Sequence, residues 1–351
     1  MTDRIQILKP NDFHMHLRQE EVLIHTAPWA AHWFHYVLAM PNLIPPIRDA
    51  HDASDYAFHI FEVVHDHMKA SRVEPRIDRT RFETLTSVML TPETTAKMLS
   101  STNHRVTAVK LYPRGATTNS DHGISISEIA RKHELFDFMQ EHGFVLCIHA
   151  EDPDAPVLQR EQRFLPIVYE LVRAFPRLKI VIEHVSTAEG VAFVLDMPVT
   201  VGATITAHHL LLTLDDLLGS TLDPHSFCKP VVKTEADRQK LLEAAFAGHP
   251  KFFFGSDSAP HRTEQKQQKG SAGIFSAPTA VPLMLDLFHR SGVLEMFDRF
   301  MSTNGADFYD LPHNEEYLTF ERKELPPGTY RVPGYEVLQA DLPLPWSLLT
   351  T

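Results

Sequence analysis

Cysteine is nearly missing from this sequence. Cys147 and Cys228 are the only two in 351 residues, too few for a disulfide scaffold or a cysteine-rich zinc ribbon. No apolar run reaches the ~18 residues that a membrane helix needs. The N-terminal residues lack the apolar stretch of a signal peptide, and there is no Asn-x-Ser/Thr acceptor, so a cytoplasmic protein is expected. Positive charge is in deficit: 33 Lys+Arg stand against 45 Asp+Glu, net −12, with no block of like charge. That balance excludes a nucleic-acid or anionic-membrane surface and leaves a small molecule as the expected partner. No internal repeat is visible, which excludes solenoids and propellers. Gly-x-Gly-x-x-Gly, a Walker loop, Gly-x-Ser-x-Gly, His-Glu-x-x-His and Cys-x-x-Cys are all absent, and with them several enzyme classes.

Histidine, by contrast, is abundant, with 22 residues. With 43% hydrophobic and 22% charged residues, the composition is that of a globular chain able to bury a large core. Short β-branched or aromatic runs recur, each followed by a longer helical pattern. Strands are expected near 12–17, 35–40, 84–90, 106–112, 144–149, 178–184, 199–205 and 251–257. Several are almost continuously apolar, as strands buried on both faces are. Helices are expected near 49–70, 92–100, 127–142, 161–175, 187–196, 235–247 and 278–290, with Ser127–Glu128 and Ser186–Thr187 as openings and Gly143 as a stop. Eight strands alternating with helices predict an α/β fold, a (β/α)₈ barrel. Residues 1–351 read as one domain, with about 305–351 an irregular, proline-rich extension packed on the barrel.

Polar residues collect at the predicted strand ends. His14 and His16 share a face of the first strand, since side chains two apart point the same way. Two imidazoles so placed can clamp a metal, although a chance pair in a histidine-rich chain has the same spacing. Lys110 lies in the fourth strand, His149 ends the fifth, His184 the sixth and Asp257 the eighth. In such a barrel all strand C-termini converge on one face, where the chemistry is done. A lysine buried beside cations has a lowered pKa and a nucleophilic amine. That amine can capture carbon dioxide as a carbamate whose two oxygens can bridge two metals; a lysine snorkelling from a strand edge is the alternative. His208–His209 is set aside, because neighbours on a strand face opposite ways.

The set His14-Met15-His16, Lys110, His149, His184 and Asp257 resembles the binuclear amidohydrolases. Asp12–Arg18 (DFHMHLR), Met40–Leu43 (MPNL), Lys110–Pro113 (KLYP), Ala116–Ser120 (ATTNS), Gly255–His261 (GSDSAPH) and Phe275–Ala280 (FSAPTA) narrow the resemblance to the homodimeric, bacterial-type dihydroorotase family. The likeness runs from about residue 5 to 320. It implies a homodimer with two zinc ions per subunit. His14, His16 and Asp257 would hold one and His149 and His184 the other, bridged by carboxylated Lys110 (N6-carboxylysine) and a hydroxide. Asp257 would be the catalytic proton carrier in the reversible closure of N-carbamoyl-L-aspartate to L-dihydroorotate plus water, the third step of pyrimidine synthesis.

The substrate's carboxylates call for a clamp. Arg18 offers a planar fork, or else a surface salt bridge. Asn42 can donate to substrate or cap its loop. His261 reads alone as a surface histidine, but the resemblance adds it to the clamp. Ala272 and Lys229 would contribute main-chain groups, although Lys229 stands where the bacterial enzymes commonly have an apolar residue. Thr117 and Thr118 lie in a loop suited to a lid that excludes water, or to a plain surface loop. Two other functions share much of this pattern: a hydantoinase- or allantoinase-like cyclic amidohydrolase, and an inactive homologue kept for assembly. Arg18, Asn42 and His261 argue against the first, and the complete ligand set against the second.

Overall fold

The computed structural model describes residues 4–70, 75, 82–100 and 106–349. Its strands are β1 (Arg4–Leu8), β2 (Asp12–Met15), β3 (Tyr36–Ala39), β4 (Glu83–Met89), β5 (Ala108–Leu111), β6 (Val145–Ile148), β7 (Lys179–Ile182), β8 (Val201–Ile205), β9 (Phe252–Phe254), β10 (Tyr317–Leu325) and β11 (Leu344–Leu348). Strands β2 to β9 form one parallel sheet in sequence order, the (β/α)₈ arrangement that the apolar runs predict. Segments such as Val-Leu-Cys-Ile in β6 are buried throughout because helices cover one face and the barrel interior the other. The barrel closes just past the strand ends. Asp257 N donates to the His14 carbonyl at 2.8 Å, and His16 N to the Ser258 carbonyl at 3.0 Å.

The helices start and stop where side chains satisfy orphaned backbone groups. Asp49 accepts from His51 N and Asp52 N to open Ala50–Lys69, whose Ala53, Tyr56, Ile60 and Val64 form the buried stripe. Gly143, at φ 74°, closes His133–His142. Expectations on boundaries change in places, and the helix expected near 92–100 is only Ala96–Leu99. The cap near 127 is Ser125, in a capping box with Glu128, and the expected single helix is split into Ile126–Ile129 and His133–His142. A further helix, Glu20–Trp33, was not foreseen. It carries Pro28 in its interior and is buried at Leu23, Ala27, Ala30, Ala31 and Trp33, so packing overrides a local breaker.

The chain after residue 305 is more regular than its proline content suggests. β10 pairs antiparallel with β1 (Arg4 opposite Glu321, Leu8 opposite Tyr317) and with β11, giving a small three-stranded sheet. Only Phe320 of β10 is buried, so its pairing is set by partners and not by an alternating pattern.

Inside the barrel, Phe13, Tyr36, Leu38, Cys147, Val181 and Phe253 pack on Ala306, Phe308 and Tyr309. The last three follow the eighth barrel strand and plug the N-terminal end; the rings of Phe13 and Tyr309 stack at 4.8 Å. Gly305 makes that approach possible, since a Cβ there would lie 2.2 Å from Cε2 of Phe13. Gly305→Ala should therefore destabilise the fold by about 1–3 kcal/mol through overpacking. The expected reading is a lower urea midpoint; an unchanged midpoint would show that the plug is loose.

Candidate metal centre and substrate pocket

The barrel mouth gathers the residues expected there. His14 lies in β2 with His16 just beyond it; Lys110 lies in β5; His149, His184 and Asp257 lie one, two and three residues past β6, β7 and β9. All six are buried. Three of the expected site residues have left-handed backbone: Arg18 (φ 62°), His184 (φ 41°) and Asp257 (φ 44°). Such conformations are costly for non-glycine residues and persist where the surroundings over-determine them.

The six fall into one connected cluster. Nitrogens of His14 and His16 and an oxygen of Asp257 lie within 4.8 Å of one another. Asp257 Oδ1 is 3.0 Å from His16 Nε2 and 3.4 Å from His14 Nε2. Nδ1 of His149 faces Nε2 of His184 at 3.1 Å, and the rings of His14 and His184 stand 5.1 Å apart. Lys110 Nζ is fully buried and makes no hydrogen bond, with the ring of Tyr112 centred 5.0 Å away.

Burial sets the protonation states. Desolvation lowers the Lys110 pKa, only partly opposed by Glu183, Cys147 and Asp257. His14 drops to about 4, first through burial and then through Lys110. His16 and His184 fall well below their usual range for the same leading reason. Neutral imidazoles and a readily deprotonated amine are the forms that bind cations. Burial raises the Asp257 carboxyl, against the pull of His14 and Lys110.

Two carboxylates at this site were not anticipated from the sequence. Glu183 Oε2 lies 2.7 Å from Nδ1 of His14 and accepts the Thr204 hydroxyl at 2.6 Å. Burial would raise its pKa, but His14, Lys110 and these hydrogen bonds hold it at about 2. Glu151 Oε2 lies 2.8 Å from Nε2 of His149. Each leaves the other ring nitrogen free as a ligand, an arrangement that fixes tautomer and ring direction in metal sites. The signal was present: Glu183 directly precedes His184 after an apolar run, and Glu151 follows His149 by two.

Above the cluster a cavity of about 690 Å³ is lined by Arg18, Asn42, Thr118, Pro260, His261 and Ser271, among others. Arg18 Nη2 approaches His261 Nε2 at 3.4 Å, and His261 Nε2 lies 2.9 Å from the Ala272 carbonyl. The loop after β5 reaches across the opening: Thr118 Oγ1 donates to the Ala272 carbonyl, Asn42 Nδ2 to the Thr118 carbonyl and Asn119 Nδ2 to the Asn42 carbonyl. The backbone N–H and carbonyl of Thr117 both bond the Ser120 hydroxyl, and Thr117 does not line the cavity; neither do Ala272 and Lys229. Lys229 is half-buried, its pKa lowered by burial and partly restored by Glu151.

His208 and His209 are not on a strand, so the reason for setting them aside does not apply. Thr206 caps a short helical turn, Ala207–Leu211, and accepts from His209 N. Both histidines are buried, their rings 4.6 Å apart, and together with Cys228 they form a second group of clustered metal-ligand types.

No family model matches the chain. A dihydroorotase of Pseudomonas aeruginosa is 38% identical over 361 aligned residues, covering 99% of this chain and 99% of the relative. The crystal structure of a dihydroorotase from Campylobacter jejuni superposes with a TM-score of 0.88 at 34% identity, over 99% of this chain and 98% of that one. A Saccharomyces cerevisiae dihydroorotase, solved in complex with 5-fluoroorotic acid, gives a TM-score of 0.88 at 30% identity, over 99% of this chain and 98% of that one.

The carboxylate–histidine contacts make a direct expectation. Glu183→Gln removes the anion that fixes His14, and metal affinity should fall about 10- to 100-fold. Competition with a chromophoric chelator measures it; an unchanged affinity would reduce Glu183 to a structural group.

Proposed function

This chain belongs to the dihydroorotase family, and we propose that its strand-end cluster holds the two zinc ions of a binuclear centre. The activity is hydrolysis of a cyclic amide, the reversible interconversion of N-carbamoyl-L-aspartate with L-dihydroorotate and water. The observation that carries the metal reading is the buried Lys110 Nζ without a hydrogen bond, beside histidine nitrogens that face one another. Buried polar groups are normally satisfied, so an orphaned amine among facing imidazole nitrogens suits residues that would hold a cation pair. Nitrogen and carboxylate oxygen donors suit zinc.

His14, His16 and Asp257 would hold one ion, and His149 and His184 the other. Lys110 would join both as a carbamate, its neutral amine forming a C–N bond to carbon dioxide and releasing a proton to solvent. The lowered Lys110 pKa favours the amine that this step needs. When bound, such a cation pair supplies an acidified water at neutral pH and polarises the amide carbonyl. Asp257, its carboxylate beside His14 and His16, would accept the proton of the attacking water and return it to the leaving amide nitrogen. Arg18 and His261 receive the substrate carboxylate, with Asn42 as a further donor; the Ala272 carbonyl acts through His261 and Thr118, and Lys229 lies outside the cavity. Thr117 and Thr118 close the lid, and the Thr118–Ala272 hydrogen bond supports a closed position over the pocket.

Homodimeric assembly and a cytoplasmic location belong to the same reading. The free thiols of Cys147 and Cys228 support a reducing compartment. Among the described residues no helix is long and apolar enough to cross a membrane.

Turnover of L-dihydroorotate by zinc-loaded protein, abolished in a chelated sample, is the primary test; a two-metal protein without turnover would move the substrate to another cyclic amide. Lys110→Ala should lose activity and bound metal together, and full activity in that variant would remove the bridge. Arg18→Ala should raise KM about 10- to 100-fold, the effect of losing a charged hydrogen bond of ~1.5–3 kcal/mol. A wild-type KM would place the clamp elsewhere. Replacing Thr117 and Thr118 by alanine should lower kcat while metal content, read by elemental analysis, stays constant.

A further inference from the structure

The barrel strand β8 supplies no ligand to the proposed zinc pair, yet its end carries a second cluster. His208 is fully buried, and neither of its ring nitrogens makes a hydrogen bond. An imidazole has one donor and one acceptor in its neutral form, so both are stranded. Its neighbours are His209 and Cys228, whose ligand atoms lie within 4.8 Å of its own and of each other. All three are buried. Cys228 Sγ and His209 Nε2 converge on one acceptor, the Pro230 carbonyl, at 3.2 and 3.1 Å. On the far side of the His209 ring, Nδ1 meets the Thr206 hydroxyl at 2.9 Å.

We infer that His208, His209 and Cys228 form a third cation site, selective for a thiophilic divalent ion such as zinc or cadmium. One thiolate and two imidazoles are the donors such ions prefer. The chemistry balances. The ion takes a lone pair from each residue, and the Cys228 thiol releases one proton to solvent. His209 shifts to the tautomer that protonates Nδ1, which the Thr206 hydroxyl accepts. Pro230 gives up two donors, and the orphaned His208 gains a partner. The bound ion ties the end of β8 to residues 227–231. That segment abuts the loop bearing Ala272, because the Phe227 carbonyl accepts from Gly273 N at 2.9 Å. No residue is shared with the proposed zinc pair, which contains no sulfur. A thiolate signal therefore separates the two sites, whatever becomes of the other reading.

The test is a cadmium titration of the metal-loaded protein, followed by the ultraviolet sulfur-to-cadmium charge-transfer band. Wild type and Cys147→Ser should develop the band with one cadmium bound per subunit at this site. Cys228→Ser should lose it. His208→Ala should weaken binding at least about tenfold, since loss of an outer partner alone costs that much. Absence of the band in folded wild type at saturating cadmium overturns the inference, as does its survival in Cys228→Ser. If Cys228→Ser does not fold, X-ray absorption on the wild-type cadmium form decides: one sulfur with nitrogen donors supports the site, and nitrogen and oxygen donors alone refute it.

Discussion

The mouth of this barrel depends on how β9 meets β2. Their ladder is made by a few bonds beyond the strands: Asp257 N to the His14 carbonyl and His16 N to the Ser258 carbonyl. Asp12 reinforces the seam from below by accepting from both Ser256 N and His14 N, at 2.9 and 3.0 Å. The same bonds that close the cylinder bring His14, His16 and Asp257 into register. Gly255 permits the contact, since a Cβ there would sit 2.9 Å from that of His14. Closure of the fold and assembly of half of the proposed ligand set are thus one event.

Around the seam, charge is arranged against the ordinary rules of burial. A lysine, four histidines and an aspartate are buried together here, with Glu151 and Glu183 beside them. Unsatisfied buried groups cost about 1–3 kcal/mol each. The chain carries several at this site, together with left-handed backbone at His184 and Asp257. Cations bound at the proposed site would therefore stabilise the fold, because a preformed site exists only in the folded state.

Much of this was legible in the sequence because most barrel strands are short apolar runs, five of which carry a metal-ligand type or a lysine at or near their ends. The eight strands and the convergence of His14, His16, Lys110, His149, His184 and Asp257 follow from that pattern and from barrel topology. Features set by tertiary context were less legible. Glu20–Trp33 is helical in spite of Pro28, because its surroundings bury it. β10 shows no alternation, because partners on both sides hold it. His208 and His209 were misplaced because one threonine cap turns a strand exit into a helical turn, which local spacing does not reveal. Glu151 and Glu183 escaped because a carboxylate that orients a ligand reads, in one dimension, like any other acid.

The plug at the closed end of the barrel has a consequence for the order in which the chain can be finished. Ala306, Phe308 and Tyr309 fill the interior beneath Phe13, and β1 pairs with residues 317–321. During synthesis the first strands leave the ribosome long before these partners exist. Until then the inner faces of β2 to β9 have no floor, and the edge of β1 stays open. Contacts this distant in sequence are the slow ones to form, and exposed apolar faces are what chaperones bind. The vulnerable interval in the life of this enzyme therefore falls before residues 306–321 emerge, while a nearly complete cylinder waits for its base.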